Sequence, residues 1–145
     1  MGIEEQTCEI RIEMLQEYQF KVSFSREELE PLLMDEPQPV GKGQYPNAGL
    51  LLAAATGNCL ASSLSFCLRR ARVELKGMTA LVRTKVERNE KGRLRITGIE
   101  VELMPLVGDL KRFEICRDVF EDFCIVTESI RQGIPVKVDV IPRGE

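Results

Sequence analysis

Five cysteines and no histidine define the chemistry open to this 145-residue chain. Without an imidazole, the chain cannot build Ser-His-Asp or Cys-His relays, and it cannot ligate zinc through histidine. Any reaction must therefore use thiols, carboxylates, lysine, arginine or tyrosine. The five cysteines are Cys8, Cys59, Cys67, Cys116 and Cys124.

The spacing of these cysteines argues against a metal site and against a secreted disulfide framework. No C-x-x-C pair occurs, so no metal is predicted. The odd count, together with two acids and no apolar run in residues 1–6, favours a reducing cytoplasm and no signal peptide. Cysteines eight residues apart on one helix are about 12 Å apart, which is beyond disulfide reach. An internal disulfide would instead join distant parts of the chain, for example Cys59 or Cys67 with Cys116 or Cys124.

Composition predicts one domain, spanning residues 1–145, around a single hydrophobic core. Apolar residues make up 43% of the chain, which is enough for one core at this length. The net charge of −3 and the pI of about 5.2 argue against sequence-independent binding to nucleic acid or to an anionic membrane.

Alternation of apolar and polar residues predicts two β-hairpins. Residues 10–14 and 20–24 form the first, and residues 80–87 and 94–103 form the second. The apolar phase of the last strand slips by one residue near Gly98, which predicts a β-bulge there. The charged residues of the second hairpin are interpreted as a solvated face.

Residues 47–68 carry no charge and are followed at once by three arginines. A membrane span is the alternative, but asparagine, glycine, serine and threonine interrupt the apolar run. The segment is therefore predicted to be a long core helix with Pro46 near its first turn. Its small residues predict cover on most sides, for which a second subunit is one source.

The remaining segments complete an α+β order of β-β-loop-α-β-β-α-α-β. A capping box at Ser25 predicts a short helical turn, and residues 34–46 form a loop long enough to carry function. An amphipathic helix is predicted from Leu106 to Phe123, then a shorter helix over 124–132, and finally a strand over 134–140. Gly133 is a suitable C-terminal cap for the shorter helix.

Two of the cysteines occupy positions that suit thiol chemistry. Cys124 begins a predicted helix, where exposed N–H groups lower a thiol pKa, whereas the apolar surroundings of Cys59 raise its pKa unless a cation approaches. The alternative is that Cys59 is a small buried hydrophobe. Cys67 and Cys116 are interpreted as core residues, and Cys8 as a strand residue without a role.

The two cysteine-centred segments resemble the OsmC/Ohr family, the osmotically inducible protein C and organic hydroperoxide resistance proteins. The resemblance extends from about Phe20 to Val140. The residues that carry it are Asp35-Glu36-Pro37, Gly41, Gly43, Pro46-Asn47, Leu50 to Ala55, Cys59-Leu60-Ala61, Cys124 to Ile130, and Gly133 before a valine-rich strand.

The resemblance implies an OsmC-like fold, with antiparallel sheets and two central helices in an intertwined homodimer. Catalytic members of the family reduce organic hydroperoxides as part of a stress response. Carried over, Cys59 resembles the peroxidatic cysteine that becomes a sulfenic acid, and Cys124 the resolving cysteine that closes a disulfide. The family uses a dithiol reductant, typically lipoyl-linked, and no cofactor held in the protein.

The sequence departs from the peroxidase members at the groups that activate the thiolate. Those members carry a glutamate near the start of the long helix, where this chain has Gly49, and an arginine in the preceding loop. Here no arginine occurs between Glu27 and Leu68, and Lys42 is the cation of the loop. Lysine cannot reproduce the planar fork of arginine.

Three hypotheses follow from these residues. The first is a thiol peroxidase that uses Cys59 and Cys124 on organic hydroperoxides. The second is a non-enzymatic or redox-sensing protein that binds a small apolar or thiol ligand in the dimer cleft, as Gly49 and the missing arginine favour. The third is a structural dimer with inert, buried cysteines.

Overall fold

The computed structural model describes residues 5–145, which form two antiparallel sheets beside a long helix. Strands β1 (Ile10–Gln16), β2 (Gln19–Phe24) and β3 (Leu32–Met34) make the first sheet, in that order. The alternation predicted β1 and β2 correctly, and it missed β3, which is only three residues long.

The short turn predicted after Ser25 is present, but it does not extend into a helix. The segment after β2 forms a single turn, closed by the N–H of Leu29 donating to the carbonyl of Arg26 at 3.1 Å. Pro31 follows too closely for a helix to propagate. Arg26 pairs instead with Glu28 on the surface, at 2.7 Å.

The second sheet is a hairpin of two 14-residue strands, β4 (Leu75–Arg88) and β5 (Leu94–Val107). The predicted bulge is confirmed: Lys85 lies opposite Gly98 while Val86 lies opposite Ile96, which leaves one extra residue on β5. The helix predicted from Leu106 starts too early. Pairing with β4 extends β5 as far as Val107, because cross-strand hydrogen bonds outweigh the local helical spacing.

Helix α1 (Ala48–Arg70) confirms the predicted long helix, and Pro46 lies next to its first turn, as predicted. The side chain of Asn47 caps the helix by accepting the N–H of Leu50 at 2.9 Å. Arg69 and Arg70 lie in its last turn, where cations suit the helix dipole.

Only one face of α1 is covered by the rest of the chain, so the predicted cover on most sides is not supplied by residues 5–145. Leu60, Leu64 and Leu68 are buried on that face, whereas Leu50 is 60% exposed. By length and composition α1 could also cross a membrane, since its most apolar window has a mean hydropathy of 1.5. Its contacts with β4 and with the C-terminal helices are those of a core helix.

The chain then returns along α1 through α2 (Leu110–Arg117), a 3₁₀ helix (Phe120–Phe123) and α3 (Ile125–Gln132). Asp109 caps α2, and its side chain accepts from the N–H groups of the first turn at 3.0 and 3.1 Å. Gly133 ends α3 at φ 76°, as predicted. The core lies between α1 and this returning segment, and it consists of Leu64, Leu68, Val73 and Cys116.

The strand predicted over residues 134–140 is wrong for the described chain, which has no regular structure after Gln132. Val136 and Val140 are 83% and 84% exposed. A strand forms only where a neighbouring strand accepts its backbone hydrogen bonds, and residues 5–133 offer none to this segment.

Candidate functional site

The fold brings together the two cysteines predicted to form a site. Cys59 lies half-buried on α1, and Cys124 lies fully buried at the N-cap of α3. The Cys124 thiol donates to the hydroxyl of Thr127 at 3.0 Å. It is also close enough to the Cys59 thiol to form a hydrogen bond with it. The pair thus connects the middle of α1 to the start of α3.

The electrostatic environment of Cys59 keeps it protonated. Burial raises the pKa of the Cys59 thiol, and the neighbouring Cys124 thiol raises it further. The backbone N–H groups of Val126 and Thr127 oppose this increase, because they are unpaired donors in the first turn of α3 and stabilise a thiolate. The effects of burial and of Cys124 are larger than those of the N–H groups, so the pKa of Cys59 is raised, as predicted. None of the largest contributions to the shift comes from a side-chain cation.

This raised pKa predicts the pH dependence of Cys59 alkylation. Because the thiolate is the nucleophile, the rate with iodoacetamide should rise about tenfold per pH unit from pH 7 and should still be rising at pH 8.5. A cysteine peptide, with a pKa of about 8.5, should level off first. Mass spectrometry of the Cys59 peptide from reduced protein measures the rate. A plateau near pH 7 would show that a cation reaches the thiol.

The other three cysteines divide into a bonded pair and a free surface residue. Cys67 on α1 and Cys116 on α2 form a disulfide, with their Cα atoms 5.8 Å apart. This pairing is one of those left open by the helix spacing, and both residues pack in or against the core, as predicted. Cys8 is exposed and precedes β1, so its predicted place in a strand is wrong.

The loop between β3 and α1 is organised around a buried carboxylate. Asp35 is 3% exposed and accepts from the N–H groups of Glu36 and Gln44 at 2.8 and 3.2 Å, and from the Gln19 amide at 3.3 Å. Burial acts to raise the pKa of Asp35, but these donors outweigh it, so the pKa lies below its ordinary value. Asp35 therefore holds the loop against β2. The backbone N–H of Lys42 also donates to the Asp35 carboxylate.

A cavity of about 440 Å³ lies between α1, β5 and α3; neither Cys59 nor Cys124 lines it, and Thr127 connects it to the pair. Thr127, the partner of Cys124, lines it together with Leu60, which follows Cys59 in the chain. Its walls are mostly apolar. One end carries Arg131 and Glu121, which form an ion pair at 2.7 Å.

Sequence analysis missed this charged end of the cavity. Arg131 also pairs with Glu128 at 2.6 Å, and both carboxylates raise the pKa of its guanidinium. The Glu128–Arg131 spacing of three residues on a helix is a visible signal for that pair. The Glu121 partner lies on a different element and is visible only in three dimensions. Among residues 5–145, no cluster of cysteine, aspartate and glutamate is arranged to hold a metal ion.

The architecture and the facing thiols define an α+β protein with a cysteine pair between its central helix and the start of its last helix. The chain belongs to the OsmC family, described as OsmC-like protein, whose model matches residues 41–139. The predicted resemblance is therefore confirmed. A comparison with curated protein sequences finds no significant match.

Solved structures share the fold at low sequence identity. An OsmC-like protein of unknown function from Vibrio cholerae has a TM-score of 0.74 at 12% identity, over 86% of this chain and 94% of that one. An organic hydroperoxide resistance protein OsmC from Legionella pneumophila has a TM-score of 0.64 at 15% identity, over 89% of this chain and 92% of that one. An organic hydroperoxide resistance protein from Bacillus subtilis has a TM-score of 0.60 at 16% identity, over 87% of this chain and 91% of that one. These similarities confirm the α+β fold with antiparallel sheets.

Proposed function

We propose that this protein is a thiol-dependent peroxidase that reduces organic hydroperoxides through Cys59 and Cys124. The observation that carries the proposal is that the two thiols meet at the first turn of α3, whose N–H groups are directed at Cys59. Those donors would stabilise a thiolate in a chain that has no histidine to deprotonate it. Two bacterial organic hydroperoxide resistance proteins of the same fold add support at the level of the fold.

The proposed reaction has three balanced steps. The Cys59 thiolate attacks the O–O bond, takes one oxygen as a sulfenic acid and, with a proton, releases an alcohol. The Cys124 thiol then attacks the sulfenic sulfur, forms the Cys59–Cys124 disulfide and releases water. A dithiol such as dihydrolipoamide reduces that disulfide by exchange and becomes a cyclic disulfide itself. No cofactor is needed.

The cavity between α1, β5 and α3 suits the apolar part of such a substrate. Its volume of about 440 Å³ lies within the range of small-molecule sites, and leucine and isoleucine side chains line it. Bulky alkyl or aryl hydroperoxides should therefore be better substrates than hydrogen peroxide, because they bury more apolar surface.

The test is the consumption of cumene hydroperoxide by the reduced protein with dihydrolipoamide as reductant. Turnover well above the protein-free rate is expected, with a lower kcat/KM for hydrogen peroxide. A wild-type protein that consumes at most one equivalent of hydroperoxide and then stops would contradict the proposal.

A redox-sensing or ligand-binding role is the second candidate, and the raised pKa of Cys59 favours it. Position 49 is glycine and not glutamate, and the pKa of Cys59 is raised by burial and by Cys124, so the thiolate fraction at pH 7 is small. A sensor would form the Cys59–Cys124 disulfide stoichiometrically after mild peroxide, without fast turnover. Intact-mass measurement during the turnover assay separates the two functions.

We further propose that the protein is a cytoplasmic homodimer of single-domain subunits. The exposed face of α1 and the apolar alternation in residues 134–140 lack cover within the described chain. A second copy could cover both, and it would supply the second long helix of the predicted fold. Sedimentation should give twice the chain mass, and truncation after Gly133 should shift the protein toward monomer. A monomeric full-length chain would contradict the dimer.

A further inference from the structure

The two cysteine pairs occupy matching positions along two antiparallel segments. Cys67 lies eight residues after Cys59 on α1, and Cys116 lies eight residues before Cys124 on the returning segment. Because Cys67 is bonded to Cys116 and Cys59 meets Cys124, the returning segment runs opposite to α1. The disulfide and the free pair are thus two successive cross-connections between the same elements.

A short, continuous hydrogen-bonded path links Cys116 to Cys124. The N–H of Val119 donates to the carbonyl of Cys116 at 3.2 Å, and the N–H of Asp122 donates to the carbonyl of Val119 at 3.3 Å. The N–H of Cys124 then donates to the carbonyl of Glu121 at 3.0 Å. With so few free dihedrals between them, the position of Cys116 constrains the position of Cys124.

The disulfide is the covalent link between α2 and α1, and noncovalent contacts accompany it. Arg112 donates to the carbonyl of Ala71 at 2.7 Å, but this hydrogen bond is exposed to solvent and is worth little. Phe113 and Phe120 pack against the core in which Cys116 is completely buried. Packing holds the returning segment near α1, and the disulfide fixes the distance between the two at Cys116.

We infer that the Cys67–Cys116 disulfide is a positioning cross-link that holds Cys124 opposite Cys59 and is not consumed in the reaction. This inference rests on the function proposed for Cys59 and Cys124. Because Cys116 is completely buried, a reductant can reach the bond only from the half-buried Cys67 side. The Cys59–Cys124 pair is buried to the same extent, so it is available for turnover because its thiols are free and not because it is more exposed.

The cross-link should control which of two reactions the Cys59 sulfenic acid undergoes. In one, the Cys124 thiol attacks it, and a disulfide and water form. In the other, a second hydroperoxide transfers an oxygen to it, and a sulfinic acid and a second alcohol form. The first reaction depends on the effective concentration of Cys124 at Cys59, and the second does not.

Cys67→Ser tests the inference, because it removes the bond at a half-buried position with little change in volume. After a fixed excess of cumene hydroperoxide, the fraction of Cys59 found as sulfinic acid should rise about fivefold over wild type. The rate at which the Cys59 thiol disappears should stay within about twofold, since that step does not involve Cys124. Peptide mass spectrometry measures both quantities.

Two control variants separate positioning from general destabilisation. Val73→Ala trims the same core without breaking the disulfide and lowers Tm, yet it should leave the sulfinic fraction at the wild-type value. Cys8→Ser removes an exposed thiol far from the pair in sequence and should change neither quantity. The inference is wrong if the sulfinic fraction of Cys59 in Cys67→Ser equals that of wild type. It is also wrong if the sulfinic fraction in Val73→Ala rises as much as in Cys67→Ser.

A second measurement remains decisive even if the peroxidase proposal fails. In glutathione redox buffers, with the Cys67–Cys116 bond verified by intact mass, the equilibrium constant for forming the Cys59–Cys124 disulfide reports its effective concentration directly. It should fall about fivefold in Cys67→Ser and remain unchanged in Cys8→Ser. An unchanged constant in Cys67→Ser overturns the inference, whereas absent peroxide turnover with a lowered constant overturns only the proposed function.

Discussion

Replacing Cys59 with serine is expected to reduce hydroperoxide consumption to the protein-free rate, a loss of at least about a hundredfold. A serine hydroxyl at neutral pH is far less nucleophilic than a thiolate and does not form a sulfenic acid. The chain has no histidine that could activate the serine hydroxyl. The measurement is the turnover of cumene hydroperoxide with dihydrolipoamide.

Cys124→Ser should behave differently, and the difference identifies the two roles. Its Cys59 should still be oxidised to the sulfenic acid by one hydroperoxide and then, because no resolving thiol is present, to the sulfinic acid by a second. Steady-state turnover with the dithiol should fall while the first oxidation remains. Cys8→Ser is the matched control, since it removes an exposed free thiol and should retain full activity.

Two outcomes would contradict these roles. Full turnover by Cys59→Ser would show that another group reduces the hydroperoxide. A sulfenic acid found on Cys124 in the Cys59→Ser protein, with turnover retained, would reverse the assignment of the two cysteines.

The largest stability effect is expected at Gly57, where α1 crosses β4. Gly57 is buried, and a β-carbon added there overlaps Cγ2 of Val82. Valine is branched at Cβ and cannot swing away, so the helix and the strand must separate. Such overpacking costs about 1–3 kcal/mol, of which improved helix propensity recovers up to about 1 kcal/mol. Gly57→Ala should therefore lower Tm by several degrees, as measured by calorimetry.

Gly49→Ala is the matched control, because it makes the same substitution on the same helix. A β-carbon there would lie 3.6 Å from Oδ1 of Asn47 and 3.9 Å from Cδ1 of Ile96, which are ordinary contacts. Without a clash, reduced freedom of the unfolded chain should stabilise the fold by about 0.5–1 kcal/mol. If both variants shift Tm in the same direction, close packing at Gly57 is not what limits the crossing of α1 and β4.

Several features of the fold could be predicted from the sequence because they depend on neighbouring residues. The alternation of apolar and polar residues predicted both hairpins, and a one-residue shift in that alternation predicted the bulge at Gly98. The uncharged run predicted the long helix, and Gly133 predicted the end of α3. The failures occurred where distant pairing decides: β5 continues to Val107 because β4 is beside it, and residues 134–140 lack a partner strand.

The candidate site divides in the same way. The sequence by itself excluded imidazole chemistry, and it singled out Cys59 and Cys124 through their two motifs. It also predicted the direction of the pKa shift at Cys59 from the apolar composition of α1, whereas the share of the shift due to Cys124 comes from a separate element.

Only the tertiary structure decided which groups face one another. It directed the N–H groups at the start of α3 to Cys59, joined Arg131 to Glu121 at the end of the cavity, and selected Cys67–Cys116 among the possible disulfides. The physical reason is that each of these contacts joins separate elements. Sequence periodicity fixes the face on which a side chain lies, whereas packing of the whole chain fixes what that face meets.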